Sequence, residues 1–154
     1  MLQRKMKVLF LCTGNACRSQ MAEGWARQLV SNAVEPYSAG IEKHGLNPHA
    51  VKVMREVGVD ISGQRSKTLD DLADVDFDYV VTVCSHAHET CPTFPRDAKV
   101  IHVGFDDPPR LAANYPDPDK ALTHYRRVRN EIRAFVQSLP KALASTANDT
   151  SRKE

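Results

Sequence analysis

The fold is decided by one stretch of the sequence, Lys7-Val8-Leu9-Phe10-Leu11-Cys12-Thr13-Gly14-Asn15-Ala16-Cys17-Arg18-Ser19. The stretch opens with a short, continuous apolar run, passes through a loop that contains glycine, and closes on an arginine and a serine before a helical pattern. Short apolar runs without alternation are typical of strands buried on both faces of a parallel sheet. We therefore expect a strand, a loop and a helix that begins near Ser19.

Three further segments carry strand patterns. Residues 78–83 and 99–103 are β-branched apolar runs like the first, expected to be buried on both faces, and residues 35–38 are a weaker candidate. Strands that alternate with helices imply right-handed crossovers. The predicted fold class is α/β: a doubly wound, mainly parallel four-stranded sheet with helices on both faces. Ligands of such sheets bind beyond the carboxyl ends of the strands.

The helical patterns lie between these strands and after the last one. Asn47 before Pro48 is typical of an N-cap followed by proline at the first helical position, and that helix is expected to continue to Gly58. Asp117-Pro118 similarly opens a long last helix with apolar residues at three- and four-residue intervals. Four arginines on its other face favour a solvated surface over an anion site; they are Arg126, Arg127, Arg129 and Arg133.

Composition limits the class of protein. The chain has 154 residues, 42% hydrophobic and 26% charged, with a net charge of +2, which predicts one globular domain over residues 1–143 and a flexible tail over 144–154. A pI of 8.4 gives no reason to expect nucleic acid as a partner. Neither a spanning segment nor a signal-peptide core is evident, so we expect a cytoplasmic protein without membrane contact. We also expect a monomer. Cytosolic cysteines are mostly reduced, which favours catalytic roles over structural disulfides.

The loop after the first strand has the pattern of an oxyanion site. Five residues separate Cys12 from Arg18, enough for the backbone to curl so that its N–H groups point inward at a helix N-terminus. Gly14 permits close approach and Asn15 tolerates a left-handed backbone. The predicted oxyanion-binding residues are Thr13, Gly14, Asn15, Ala16, Cys17, Arg18 and Ser19.

Within this loop Cys12 is the expected nucleophile. The positive field of the loop favours its thiolate form, Arg18 can grip two oxygens with its planar guanidinium, and the Ser19 hydroxyl is placed to donate to the sulfur. The oxygen that the thiolate expels needs a proton. Asp106 and Asp107 are the candidates, of which Asp107 is favoured because it directly precedes a proline; an Asx-type turn is the alternative for this segment.

Cys84 and Cys91 follow the third predicted strand and suggest electron transfer. A phosphatase needs no further cysteine after its nucleophile, whereas three thiols permit a relay: Cys84 attacks the sulfur of Cys12, and Cys91 then attacks Cys84. Disulfide geometry requires the segment between residues 84 and 91 to move. A zinc site with His86 and His88 is the competitor, but the cysteine spacing fits no compact zinc pattern.

Cys17 is the fourth cysteine. Small apolar packing at the start of the helix is the favoured interpretation, with a protective Cys12–Cys17 disulfide as an alternative.

Taken together, these motifs strongly resemble those of the thioredoxin-coupled arsenate reductases, which share the fold of the low-molecular-weight protein tyrosine phosphatases. The resemblance covers residues 6–140 and is carried by CTGNACRSQMAEGW (12–25), YSAGI (37–41), HGLNP (44–48) and GFDDP (104–108), together with Cys84 and Cys91-Pro92.

The resemblance implies reduction of arsenate to arsenite, with phosphate or sulfate as competing oxyanions. It assigns the thiol relay to Cys12, Cys84 and Cys91. It also implies that Arg18 binds the oxyanion and that Asp107 is the general acid. Thioredoxin would supply the electrons, for arsenic detoxification, without a bound redox cofactor.

Some relatives of this kind bind potassium near the loop, at positions that match Asn15, Glu23 and Ser38. The carboxylate that completes their site is replaced here by Lys67, whose ammonium can take the cation's place.

Two alternatives remain open on the sequence. One is a phosphotyrosine phosphatase of the same fold, against which the Asp107-Pro108-Pro109 segment lacks an aromatic residue after the Asp-Pro pair. The other is a non-enzymatic redox sensor.

Overall fold

Each predicted strand is present in the computed structural model, which describes residues 4–84 and 98–152, with side chains as far as residue 143. Cys91, His86 and His88 lie outside the described residues. The strands are β1 (Met6–Cys12), β2 (Val34–Gly40), β3 (Tyr79–Thr82) and β4 (Lys99–His102).

All neighbouring strands are parallel, in the order β2-β1-β3-β4. The chain passes from β1 to β2 on one side and then returns to β3 on the other side of β1. This reversal makes the sheet doubly wound, as predicted, and creates a crevice at the carboxyl ends of β1 and β3 where ligands of such sheets bind.

Burial differs between the central and the edge strands. The last five residues of β1 and all of β3 are buried, as expected for strands covered on both faces. The same expectation is wrong for β4, in which burial alternates and Val100 is 46% exposed. The order of the strands explains the difference, because β4 lies at the edge of the sheet. Pro36 is tolerated in β2 for a related reason, since β2 forms the opposite edge.

The described helices are α1 (Arg18–Leu29), α2 (Pro48–Arg55), α3 (Pro108–Ala112) and α4 (Pro118–Arg152), with a 3₁₀ turn at Leu69–Leu72. The Asn47 side chain caps α2 by accepting hydrogen bonds from the N–H groups of His49 and Ala50. The helix ends at Arg55 rather than at Gly58, which lies in the following turn with φ +82°. Among the described helices, none is both long and apolar enough to cross a membrane.

Helix α4 packs against α1, α2 and α3 and closes the core. Its arginines are used differently from the prediction: Arg129 is only 8% exposed and shares the Glu56 carboxylate with Arg126, each at 3.0 Å or less. The expected solvated surface is therefore wrong for Arg129, because that side chain reaches back to α2. The backbone of α4 continues to Arg152, and the division into a domain and a tail at residue 143 stays a prediction.

Candidate active site

The loop between β1 and α1 has the strained turn expected of it. Cys12 ends β1 and is 3% exposed, and Asn15 has φ +49°, the one positive value at a non-glycine position in the described part of the chain. A left-handed backbone is rare outside glycine and asparagine. Asn15 thus has the conformation predicted for it.

The hydrogen bonds of Asn15 leave the Ser19 proton free to be donated to Cys12. The N–H of Lys67 can only donate, so the Asn15 atom 2.7 Å away is the amide oxygen. The amide nitrogen therefore faces Ser19 and donates to its hydroxyl at 2.9 Å. One lone pair of that hydroxyl is occupied, and its proton remains available for Cys12, whose sulfur lies 2.8 Å away. This arrangement suits a Cys12 thiolate stabilised by Ser19.

Arg18 lies between the loop and the segment after β4. One guanidinium nitrogen donates to the carbonyl of Phe105 at 3.0 Å, and the other lies 3.8 Å from an Asp107 carboxylate oxygen. The side chain is 13% exposed. The carbonyl of Phe105 therefore orients a guanidinium that still has donors free for an oxyanion.

A cavity of about 240 Å³ opens above the loop. The residues that line it are Cys12, Thr13, Gly14, Ala16, Cys17, Arg18, His44, Asp107 and Pro109. The nucleophile, the arginine and the predicted acid thus share one space, which has room for a small tetrahedral oxyanion.

The two candidate acids, Asp106 and Asp107, have different surroundings. Asp106 pairs with Arg127 of α4 at 3.0 Å, whereas Asp107 faces the cavity and its side chain is 41% exposed. The structure does not favour the alternative of an Asx-type turn, because Asp107 is the N-cap of α3 and its side chain makes no cap hydrogen bond there. Its carboxyl group is therefore not held by the adjacent backbone, which keeps it available for proton transfer.

Cys84 lies beside the same loop. Leu11 of β1 pairs with Thr82 of β3, so Cys12 is level with residue 83. Cys84 therefore lies one position beyond the level of Cys12. Its sulfur is 3.3 Å from the Thr13 hydroxyl, and the residue is 5% exposed. Two of the three predicted relay cysteines thus lie at the carboxyl edge of the sheet on neighbouring strands, and the third, Cys91, is outside the described residues.

Cys17 is buried in the wall of the cavity. Burial raises the pKa of the Cys17 thiol far above its ordinary value, and the nearby Cys12 raises it further. A thiol in this state is a poor nucleophile. Packing at the start of α1 is consistent with this environment.

The residues that match a potassium site form an ion-pair cluster here. Glu23 accepts a hydrogen bond from Ser38 at 2.5 Å, pairs with Arg27 at 2.5 Å and lies 3.7 Å from the Lys67 ammonium. The Lys67 ammonium also donates to the carbonyl of Arg65 at 2.8 Å. Burial lowers the pKa of Lys67, and the carboxylate of Glu23 opposes that shift.

This cluster does not suit an added cation. The Glu23 carboxylate is already matched by two positive side chains, so potassium would meet an ammonium at close range. Across residues 4–84 and 98–143, whose side chains the structure describes, no cluster of three or more His, Cys, Asp or Glu side chains suits a metal ion.

Sequence reasoning gave no role to His44 or Gln20. The ring of His44 lies over Gly14, where an added Cβ would be 2.2 Å from its Nδ1 atom. Gln20 is fully buried and hydrogen-bonded to Asn15. Both belong to the quoted motifs, but only the packing of distant segments against the loop reveals their contacts.

Comparison with known proteins places this geometry in context. The family model for low molecular weight phosphotyrosine protein phosphatase matches residues 7–149. An arsenate reductase of Halalkalibacterium halodurans is 50% identical over 128 residues, 83% of this chain and 90% of the relative.

Two solved structures are similar as well. The first, "an arsenate reductase in the phosphate binding state", has 31% identity and a TM-score of 0.67 over 89% of this chain and 98% of its own. A thioredoxin-dependent arsenate reductase from Corynebacterium glutamicum has 25% identity and a TM-score of 0.69, over 95% of this chain and 65% of its own.

Proposed function

Because the chain belongs to the low-molecular-weight phosphotyrosine protein phosphatase family, we propose that it uses the family's oxyanion loop to reduce arsenate to arsenite. The observation that carries the proposal is the Cys84 thiol, 3.3 Å from Thr13 in the loop that Cys12 begins. Hydrolysis of a phosphate ester has no use for a second thiol there, whereas reduction requires one. The relative of 50% identity, named an arsenate reductase, supports the same choice.

The first step is a displacement at arsenic. The loop N–H groups and the Arg18 guanidinium hold arsenate, and the Cys12 thiolate attacks the arsenic atom. A sulfur–arsenic bond forms and an arsenic–oxygen bond breaks, while Asp107 gives its proton to the departing oxygen, which leaves as water. No electrons have yet been transferred to arsenic.

The second step is the reduction. The Cys84 thiolate attacks the sulfur of Cys12, and a disulfide forms as the sulfur–arsenic bond breaks. The electron pair of that bond leaves with arsenic, which is released as arsenite. Cys91 then attacks the sulfur of Cys84, which frees Cys12 as a thiolate and leaves a Cys84–Cys91 disulfide. A thioredoxin dithiol returns the two electrons by reducing it.

The proposed cycle needs no bound redox cofactor and no potassium, since Lys67 already faces Glu23 at 3.7 Å. Thermal unfolding in KCl and in NaCl at equal ionic strength tests whether the protein binds potassium. Equal midpoints are expected for the wild-type protein. A higher midpoint in KCl alone would show that potassium binds despite the ammonium.

The proposed partners are arsenate and thioredoxin, with phosphate and sulfate as competitors for the loop. We further propose that the chain acts as a monomer in the cytoplasm, where thiols remain reduced. Size-exclusion chromatography with light scattering is expected to give the mass of one chain, and a dimer mass would contradict this.

The decisive assay measures arsenite formed with thioredoxin, thioredoxin reductase and NADPH. Cys84→Ser is expected to abolish turnover, and Cys91→Ser to stop after about one equivalent, because a Cys12–Cys84 disulfide then accumulates. Hydrolysis of an aryl phosphate by the same variants is the internal control, since it requires only Cys12, Arg18 and Asp107. Multiple turnover of Cys91→Ser at the wild-type rate would refute the relay.

Phosphatase activity is the second candidate, favoured by the family match and by a loop that suits any tetrahedral oxyanion. Fast aryl phosphate hydrolysis, with no effect of either cysteine substitution on any reaction, would make it the main activity. A protein that turns over neither arsenate nor aryl phosphate more than once would instead be a sensor.

A further inference from the structure

The side chain of Gln20 in α1 is fully buried, and both its amide nitrogen and its amide oxygen form hydrogen bonds. One N–H of its amide donates to the carbonyl of Arg65 at 2.8 Å, and the other is shared by two oxygens of Asn15, the carbonyl at 3.1 Å and the side-chain oxygen at 2.9 Å. Its amide oxygen accepts from Gln64 at 2.7 Å. A buried amide without these partners would be unfavourable, so the side chain has one stable orientation.

That orientation is fixed by chemistry. Main-chain carbonyls only accept hydrogen bonds, so the two carbonyl partners, on Asn15 and Arg65, identify the Gln20 nitrogen. The Gln64 nitrogen, which also donates to the main-chain carbonyl of Gln20 at 3.1 Å, identifies the Gln20 oxygen. The amide of Gln20 cannot flip without placing like groups against each other.

Asn15 needs such a hold because its left-handed backbone is intrinsically unfavourable. Gln20 ties down both its carbonyl and its side-chain oxygen, and the N–H of Lys67 bonds the same side-chain oxygen. The Asn15 nitrogen is then directed at Ser19, and Ser19 at Cys12. A line of hydrogen bonds thus runs from Gln64 through Gln20 to the nucleophile.

We propose that Gln20 is a positioning residue for the Cys12 nucleophile, which acts by holding Asn15 in the left-handed conformation that directs the Ser19 proton to the sulfur. The inference rests on the proposed function only in taking Cys12 as the nucleophile. The competing explanation is that Gln20 only fills space in the core under α1.

Three variants separate these explanations. Gln20→Met keeps the length of the side chain and removes the donors. Gln64→Leu leaves the donors of Gln20 in place but frees its oxygen. Val53→Ala is the matched control, because Val53 is fully buried in α2 and makes no hydrogen bond to the loop through its side chain.

The main readout is the rate of Cys12 alkylation by iodoacetamide against pH, followed by peptide mass spectrometry. The second is the protection of Cys12 by inorganic phosphate. Gln20→Met is expected to move the alkylation profile to higher pH and to weaken phosphate protection about fivefold, the factor that corresponds to the typical net contribution of one hydrogen bond. Gln64→Leu is expected to move the profile in the same direction and to weaken phosphate protection by a smaller factor. Val53→Ala is expected to lower the thermal midpoint without moving the alkylation profile.

The proposal fails if the folded Gln20 or Gln64 variants give alkylation profiles that superimpose on the wild-type profile, or if Val53→Ala shifts its profile equally. Gln64→Leu retains the donors of Gln20, so it decides the matter if Gln20→Met does not fold. None of these readouts involves arsenite. A wild-type protein that forms no arsenite would therefore refute the proposed function and leave this comparison intact.

Discussion

Replacement of Gly40 by alanine is expected to displace the oxyanion loop. Gly40 ends β2, level with Cys12 of β1, and its N–H donates to the carbonyl of Lys67 at 2.8 Å. An added Cβ would lie 2.4 Å from the carbonyl oxygen of Glu42 and 2.6 Å from the nitrogen of Asn15. Both atoms belong to the main chain, so no side-chain rotation can relieve the contact.

The size of the effect follows from these distances. Relaxed heavy-atom contacts are about 3.5 Å long, so the Asn15 nitrogen must retreat by roughly 0.9 Å from its 2.6 Å position. Overpacking of this kind destabilises a protein by about 1 to 3 kcal/mol. A misplacement of about 1 Å at catalytic groups can reduce the rate by about 10²-fold. We expect Gly40→Ala to show both losses.

Two other glycines provide graded controls. Gly63 has nothing within 4 Å of an added Cβ and no positive φ, so Gly63→Ala is expected to leave phosphate binding unchanged and to alter stability by less than about 1 kcal/mol. Gly14→Ala meets the ring of His44, a side chain that is 51% exposed and can turn away, and the His44 Cβ at 2.9 Å, which requires a smaller shift of the chain. Its effect on stability is expected to be smaller than that of Gly40→Ala.

Urea unfolding and phosphate titration calorimetry measure the two quantities on the same samples. Wild-type stability together with wild-type phosphate affinity in Gly40→Ala would show that the added Cβ does not displace the loop. An equal loss in Gly63→Ala would also contradict the prediction, because the effect would then not depend on contact with the loop.

Three further outcomes are expected. Asp107→Asn lowers kcat for arsenate by about 10²- to 10⁴-fold while phosphate still binds, and a loss in kcat below tenfold would exclude Asp107 as the acid. Cys17 stays unlabelled by iodoacetamide in the native protein while Cys12 reacts, because burial raises its pKa; equal labelling rates would contradict this. The hydrogen bonds from Arg4 lower the pKa of Asp78 below 3.8, so their stabilisation is complete above that pH and is lost as pH falls through the lowered value. The difference in urea midpoint between wild type and Asp78→Asn should therefore shrink in acid, and an equal difference at neutral and acid pH would contradict the assignment.

The strand, loop and helix around Cys12 could be predicted from local sequence, because that unit is built from consecutive residues. A continuous apolar run, a five-residue loop and an arginine before a helix constrain one another locally, and Asn15 marks the left-handed turn. The order of strands and helices then predicted the doubly wound sheet, and the motifs predicted the family, which the match over residues 7–149 confirms.

Tertiary structure decided which of several similar residues has which neighbour. Asp107 faces the cavity while Asp106 pairs with Arg127, and Gln20 bonds to Arg65, which is 45 positions away in the chain. Apolar periodicity reports that a face is buried but not what buries it. Even the exposure of β4 depended on its place at the edge of the sheet, because neighbours far apart in the sequence come together only when the sheet and helices pack.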